Sequence, residues 1–165
     1  MAVKPILLLG NPDLYKISSE VIKEELPLVE NIVKDLHDTL IDFREKYGLG
    51  RAIAAPQIGV PKRLIYMFIN KPIVFINPYL INFSKENIEL WDDCMSFPGL
   101  LVKVERAKEC EIIYKDEKWK EQRMLLKDDL SELLQHEFDH LDGILAVQRA
   151  IDSKSLAFSS EINNT

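Results

Sequence analysis

The sequence predicts an α+β fold in which two long helices flank a set of antiparallel strands. Three observations support this fold class. Apolar residues recur at helical spacing in two separate stretches, short β-rich runs lie between them, and a polar spacer suited to a hairpin separates the last two runs. With 165 residues, 47% of them hydrophobic, the chain suits one core, and we expect residues 1–165 to form a single domain.

The first predicted helix runs from Pro27 to Tyr47, and its apolar residues form one stripe. Pro27 suits the first turn of a helix, and Gly48 suits the position just past its end. His37 lies beside the stripe. Without a partner motif, we expect it to be a surface or flanking residue and not a ligand.

The runs between the helices are rich in β-branched and aromatic residues and predict an antiparallel meander. Strands are expected at residues 64–69, 73–76, 79–83, 88–91, 110–114 and 119–126. The second helix is expected to begin after Asp128, a candidate N-cap, and to end at Gly143. Residues 153–165 are polar and weakly patterned, which predicts a frayed tail or a short helix.

Composition and charge exclude several classes of function. The net charge of -6 and the pI near 5.2 oppose nucleic-acid binding, because phosphate is recognised by basic surfaces. No apolar run could cross a bilayer, and the opening segment is too short and too proline-broken for a secretory signal. We therefore expect a cytoplasmic protein with no membrane partner. Two cysteines form no disulfide framework, and Cys110, in a strand-like run, is expected to be a small buried hydrophobe.

A His-Glu-x-x-His motif lies in the second predicted helix. His136 and His140 are one turn apart on the same face, close enough to share a metal ion. A hydrolytic metal site usually has three protein ligands and leaves one position for water. The extended metalloprotease pattern would place the third ligand at position 146, which is Ala146, and the downstream acids Asp152 and Glu161 lie in the predicted tail. This weakens the interpretation as a metallopeptidase.

Two further blocks carry candidate residues. Residues 91–99, Trp-Asp-Asp-Cys-Met-Ser-Phe-Pro-Gly, form a turn-rich segment that can bring Cys94 to a helix, so Cys94 is the better third ligand. Residues 48–59 form a loop rich in glycine and alanine, which allows close approach of a backbone or a substrate. Gln57 carries the one side-chain amide of that loop and could donate a hydrogen bond to an oxyanion.

In this order, the three blocks resemble the motifs of peptide deformylase: a Gly-x-Gly-x-Ala-Ala-Pro-Gln loop, a Glu-Gly-Cys-Leu-Ser loop and a Gln-His-Glu-x-x-Asp-His helix. The resemblance covers most of the chain, and residues 10–14 are similar to the family's N-terminal segment. It implies a central metal-binding helix surrounded by antiparallel strands. It also implies that Glu137 is the catalytic acid/base and that Gln57 and the backbone amide of Met95 bind the oxyanion. The implied metal ligands are Cys94, His136 and His140.

The resemblance also implies a reaction and a cofactor. The substrate would be an N-formylmethionyl peptide, with formate as a product, and a related N-acylated peptide or a small formamide is the alternative. One divalent ion per chain is expected. The resemblance implies Fe(II) as the physiological metal, although a Cys-His-His set also accepts Zn(II), Ni(II) or Co(II). A monomer is favoured.

The departures from the family's motifs cluster around substrate binding. Ala52 replaces the second loop glycine, Arg51 stands at a normally apolar position, and Asp93 precedes the cysteine in place of glycine. Asp129 and Glu132 stand where the family lines its methionine pocket with aliphatic side chains. An unpaired charge beside a thioether costs desolvation. We therefore expect either that Arg51 neutralises one of these acids or that the helix turns them to solvent, with selectivity for formylmethionine weakened or changed. The expected pocket comprises Gly50, Arg51, Ala52, Asp93, Asp129, Glu132 and Leu133.

Three residues are expected to orient the metal ligands without binding the metal themselves. These are Asp92, Arg106 and Asp139, with Asp92 paired to Arg106; a plain salt bridge between strand and loop is the alternative.

Two alternatives to an active deformylase remain, a small metallopeptidase and a catalytically silent relative that keeps the metal as a binding module. Intact Glu137 and Gln57 oppose the silent relative.

Overall fold

The computed structural model describes residues 2–162 and confirms the α+β class. The helices are α1 (Leu26–Tyr47), α2 (Asp129–Leu141) and α3 (Ser159–Ile162). The strands are β1 (Ala52–Ala54), β2 (Leu64–Phe68), β3 (Pro72–Ile81), β4 (Asn87–Asp92), β5 (Leu100–Ala107), β6 (Glu109–Lys115), β7 (Glu121–Lys127) and β8 (Leu156–Phe158). Single turns of 3-10 helix lie at Pro12–Tyr15, Lys23–Glu25, Ala55–Ile58 and Ala146–Arg149.

The strands form two antiparallel sheets within the described residues. One sheet has five strands in the order β1-β2-β3-β6-β7, and the other has three in the order β4-β5-β8. The predicted meander is therefore correct for the β2–β3 and β6–β7 pairs. It is wrong for β4, which leaves the first sheet and pairs with β5, a strand that was not predicted. As a result, β6 pairs with β3.

Helix α1 covers one face of the five-stranded sheet. Its predicted bounds are confirmed to within one residue, and Gly48 ends it in the left-handed region at φ 69°. The buried stripe packs against every second residue of β1 to β3, as expected for side chains that alternate between the two faces of a sheet. The residues in this contact are Val29, Ile32, Leu36, Leu40, Phe43, Ile53, Leu64, Tyr66, Val74 and Ile76. His37 is partly buried at the flank of the stripe, with Nδ1 2.7 Å from the Tyr66 hydroxyl oxygen.

Helix α2 lies between the two sheets. Its apolar side chains Leu133, Leu134 and Leu141 pack on the opposite face of the five-stranded sheet. The helix also contacts β5 of the three-stranded sheet. Because both sheets cover it, the polar residues of α2 after Asp129, including both histidines, are buried. The arrangement confirms the prediction of antiparallel strands around a central helix.

Strand β3 combines two of the predicted strands. The expected runs at residues 73–76 and 79–83 are joined, with a register shift between Ile76 and Tyr79. Asn77 adopts φ 49° there, and its side-chain amide bonds the backbone N–H and the backbone carbonyl of Val21, both at 2.8 Å. The break in the β pattern therefore marks a bulge that anchors the N-terminal segment, and not a turn.

Three further local predictions need correction. Asp128 precedes α2, but its φ is 50° and its side chain makes no capping hydrogen bond. The predicted loop at residues 48–59 contains β1 and a 3-10 turn. Trp119, at φ 62°, lies in the turn that precedes β7.

The predicted tail is more ordered than expected. Part of it forms β8, which pairs with the start of β5, and α3 agrees with the predicted short helix. Residues 163–165 lie outside the described part of the chain. Within residues 2–162, no helix is long and apolar enough to span a membrane.

Candidate metal centre

Two elements bring three metal-ligating side chains together. Helix α2 carries His136 and His140, and the turn that follows β4 carries Cys94. One ligand atom from each lies within 4.8 Å of the others, and all three residues are buried. The Cys94 sulfur is 3.3 Å from Nε2 of His140, and the two imidazole centroids are 5.1 Å apart. Among residues 2–162, this is the one group of three such side chains with this geometry.

The chemistry of these donors fits a transition-metal dication. A thiolate and two imidazoles are the ligands that such ions select, and three protein ligands leave a position for water. His136 is oriented for this role, because its Nδ1 lies 2.8 Å from Oδ2 of Asp92. A carboxylate on one ring nitrogen fixes the tautomer and leaves the other nitrogen to bind the metal.

A buried side-chain amide holds the cysteine from the other side. Nε2 of Gln57, on the 3-10 turn after β1, lies 3.6 Å from the Cys94 sulfur and donates to Oγ of Ser96 at 3.1 Å. Oε1 of Gln57 accepts from the backbone N–H of Ala54 at 3.0 Å. These contacts fix the amide with its nitrogen on the side of the Cys94 sulfur. Ser96 was not among the predicted residues. Its place in Cys-Met-Ser, which corresponds to Cys-Leu-Ser in the family's motif, could have indicated it.

The two histidines differ in their affinity for protons. Burial disfavours a charged His136, but Asp92 and the Cys94 thiolate outweigh burial and raise the pKa of His136 well above its usual value. Burial and the neighbouring His136 hold the pKa of His140 well below its usual value. For Asp92, burial is opposed by His136 and Arg106, which together lower the pKa of the carboxyl. Because a metal ligand must be deprotonated, a metal ion competes with a proton at His136.

Glu137 lies beside the ligands with one oxygen unused. Its Oε2 is buried and makes no hydrogen bond within the described residues. Burial raises the pKa of Glu137 to about 7. A carboxyl with this pKa can accept and return a proton near neutral pH, which is the requirement for a general acid/base.

A network of buried charges lies behind His136. Arg106 donates to Oδ2 of Asp92 at 3.3 Å and to Oδ2 of Asp139 at 2.7 Å. Arg149, which was not among the predicted residues, completes the network with two hydrogen bonds to Asp139, at 3.1 and 3.2 Å. Asp92 therefore contacts both Arg106 and the candidate ligand His136. The Asp92–Arg106 pair is thus connected to the metal site and is not only a salt bridge between a strand and a loop.

A cavity of about 470 Å³ opens onto the metal site. Cys94, His136, Glu137 and Met95 form part of its wall, as do five of the predicted pocket residues: Gly50, Arg51, Ala52, Asp93 and Leu133. Glu132 is buried and bonded to Arg51 at 2.8 Å. Asp129 is exposed and lies outside the residues that form the wall.

Several residues of the cavity wall had no signal in the sequence. Leu49, Phe68 and Ile69 supply apolar surface, and Arg44 of α1 lies beside them. The Arg44 guanidinium donates to the carbonyl oxygen of Gly50, at 2.8 and 3.0 Å, and to that of Phe68. Arg44 thus fixes the loop that forms one wall of the cavity.

Comparison with known proteins identifies close relatives. The family model described as polypeptide deformylase matches residues 3–156. Peptide deformylase 1 of Prochlorococcus marinus is 36% identical over 174 residues, covering 98% of this chain and 88% of the relative. The peptide deformylase of Pseudothermotoga lettingae is 36% identical over 160 residues, covering 97% of this chain and 90% of the relative.

Solved structures agree with these matches. A crystal structure of peptide deformylase from Thermotoga maritima has a TM-score of 0.84 and 28% identity, covering 92% of this chain and 100% of that one. The actinonin-bound class I type b peptide deformylase of Acinetobacter baumannii has a TM-score of 0.82 and 30% identity, covering 90% of this chain and 99% of that one. A Met-Ala-Ser-bound structure of the same type has a TM-score of 0.82 and 28% identity, covering 90% and 98%. These matches confirm the fold expected from the motifs.

Proposed function

Because this chain belongs to the polypeptide deformylase family, whose members are metal-dependent amide hydrolases, we propose that it removes the formyl group from N-formylmethionyl peptides and releases formate. The observation that carries the proposal is the convergence of one thiolate and two imidazoles beside Glu137 at the wall of an open cavity. The peptide and actinonin bound to the Acinetobacter baumannii relatives support a peptide substrate.

We propose that one divalent ion, Fe(II) in the cell, is held by Cys94, His136 and His140. Such an ion would lower the pKa of a bound water toward ~7 and so supply hydroxide at neutral pH. Asp92 keeps His136 in the tautomer that can bind the metal, because it occupies the Nδ1 side of the ring at 2.8 Å.

Glu137 moves the proton in this proposal. Its Oε2, which makes no hydrogen bond within residues 2–162, and its pKa of about 7 allow it to take a proton from the attacking water and return it to the leaving amine. Gln57 stabilises the oxyanion that develops on the formyl group, because its amide nitrogen is fixed 3.6 Å from the Cys94 sulfur. We assign the second oxyanion donor to the backbone N–H of Met95, which follows Cys94 at the cavity wall.

The other candidate functions are less well supported. A third histidine of the metallopeptidase pattern is missing, and Ala146 is instead buried in an apolar cluster with Phe97 and Val102. A catalytically silent binding module would not explain why Oε2 of Glu137 is buried without a hydrogen-bond partner among residues 2–162. We further propose that residues 1–165 act as one domain, because α2 contacts both sheets and leaves no boundary between them. We also propose that the protein is a monomer and acts in the cytoplasm.

Formate release from formyl-Met-Ala-Ser tests the function directly. Protein loaded anaerobically with Fe(II) is expected to release formate, and Glu137→Gln is expected to lose activity by ~10²–10⁴-fold while keeping its metal. Glu45→Gln, on the exposed surface of α1, is the matched control and should retain activity. Absence of formate with Fe(II), Zn(II), Ni(II) and Co(II) alike would contradict the proposal, as would an active Glu137→Gln variant.

A further inference from the structure

An ion pair lies at the wall of the cavity. Nη2 of Arg51 is 2.8 Å from Oε1 of Glu132. The Arg51 side chain is 41% exposed and forms part of the cavity wall, whereas that of Glu132 is 8% exposed and lies behind it. Asp93, also part of the wall, is close enough to Arg51 to interact with its charge.

The cavity wall therefore has an apolar part and a polar part. Leu49, Phe68, Ile69 and Leu133 can cover an aliphatic stem. Arg51 has five N–H donors, and within the described residues one guanidinium nitrogen, Nη2, bonds Glu132. A side chain that combines an aliphatic stem with a polar end would use both parts of the wall.

The charges around the pair favour a neutral polar end. A carboxylate on the substrate would approach Arg51 but would also meet Asp93 and Glu132. A cation would approach those acids but would meet Arg51 and Arg44. A side-chain amide avoids both conflicts, because its oxygen accepts from the guanidinium while its nitrogen donates to a carboxylate.

We propose that Arg51 and Glu132 determine specificity and extend the substrates of this protein to N-formyl peptides whose first residue has a neutral hydrogen-bonding side chain, above all glutamine. The proposal rests on the deformylase function proposed above. Glutamine and methionine have nearly the same length, so they differ mainly in their need for hydrogen bonds. With an apolar cavity, kcat/KM for the glutamine peptide would be lower than that for the methionine peptide by about tenfold or more, because the amide would be desolvated without hydrogen-bond partners.

The ratio of kcat/KM for formyl-Gln-Ala-Ser to that for formyl-Met-Ala-Ser tests the proposal. We expect a ratio near or above one for the metal-loaded native protein, with formyl-Lys-Ala-Ser and formyl-Glu-Ala-Ser both slower than the glutamine peptide. Arg51→Val/Glu132→Ile should lower the ratio by about tenfold or more. The two residues are replaced together because Arg51→Val alone would leave Glu132 buried without its partner.

A second ion pair provides the matched control. Arg123 and Glu111, on the β6–β7 hairpin, are 3.2 Å apart and have exposures of 59% and 13%, similar to those of the first pair. Arg123→Val/Glu111→Ile should leave the ratio unchanged.

Three results would overturn the proposal. They are a native preference for methionine of tenfold or more, a lysine or glutamate peptide hydrolysed faster than the glutamine peptide, and an unchanged ratio in Arg51→Val/Glu132→Ile. If that variant does not fold, the native ranking of the four peptides still decides. Formate from the methionine peptide with poor hydrolysis of the glutamine peptide would refute this inference alone. Formate from none of the four peptides would instead refute the proposed function.

Discussion

Gly143 ends the segment that carries both histidines, and Gly143→Ala is predicted to destabilise the protein far more than Gly48→Ala. Both glycines follow a long helix and have nearly the same left-handed backbone, with φ of 71° and 69°. They differ in their surroundings. A Cβ at Gly48 would have no heavy atom of the described residues within 4 Å, apart from its chain neighbours. A Cβ at Gly143 would lie 2.4 Å from the carbonyl oxygen of Tyr15 and 2.9 Å from that of Lys16.

The difference in magnitude follows from these contacts. A left-handed alanine costs about 1 kcal/mol relative to glycine, and this cost is common to both variants. At Gly143 the backbone at Tyr15 must also move by about 1 Å, from 2.4 Å to the 3.4 Å of an ordinary contact. That movement would break the hydrogen bond from the Ser18 N–H to the Leu141 carbonyl, now 2.9 Å long, which contributes ~1 kcal/mol. With residual strain, we expect a loss of ~3 kcal/mol for Gly143→Ala and ~1 kcal/mol for Gly48→Ala.

Urea unfolding of the metal-free variants measures both losses. The expected result is a lower midpoint for Gly143→Ala than for Gly48→Ala, with the same dependence of the unfolding free energy on urea. Metal-free protein is used because a bound ion would add its own binding free energy to the folded state. Equal midpoints for the two variants would refute the argument from close contact with the Tyr15 backbone.

Three further predictions concern the site itself. Cys94→Ala should lose the bound metal in elemental analysis, whereas Cys110→Ala should keep it, because Cys110 is buried elsewhere and bonds Ser131; metal loss in both variants would contradict the assignment. Asp92→Asn should weaken metal affinity by ~10–100-fold in a chelator competition, because it loosens the orientation of the His136 ring. Gln57→Leu should lower kcat by ~10²–10³-fold with unchanged metal content if the amide binds the oxyanion, and an unchanged kcat would exclude that role.

The helices could be predicted from the sequence because local signals determine them. Apolar spacing, Pro27 and Gly48 fix α1, and the spacing of leucines fixes α2. The sheets were predicted less well, since strand pairing depends on contacts between distant residues. Nothing local shows that β6 pairs with β3, or that Leu156–Phe158 adds a strand to β5. The bulge at Asn77 looked like a strand end because its partner, Val21, lies 56 residues away in sequence.

In the candidate site, too, the features set by local spacing could be predicted and those set by distant contacts could not. His136 and His140 are related by one helical turn, so the sequence contains their geometry. Cys94 could be selected from its turn-rich segment and from the lack of a suitable ligand downstream, and the family resemblance supported that choice. Its distance from the histidines could not be predicted, because the spacing between Cys94 and the helix carries no distance information. Asp129 and Glu132 were grouped as pocket residues from that resemblance. In the structure they have different environments, because Glu132 faces inward to Arg51 while Asp129, three residues earlier, remains exposed.

The buried charges behind His136 are better explained by orientation of the ligand than by stability. Arg106, Asp92 and Asp139 are 5%, 4% and 7% exposed, and removing such charges from water costs about as much as their mutual attraction returns. The network is also incompletely bonded, because Nε of Arg106 is buried without a hydrogen-bond partner in the described residues. An apolar cluster of the same volume would be at least as stable. Such a cluster could not hold a carboxylate 2.8 Å from Nδ1 of His136, so the network's contribution lies in fixing that imidazole for the metal.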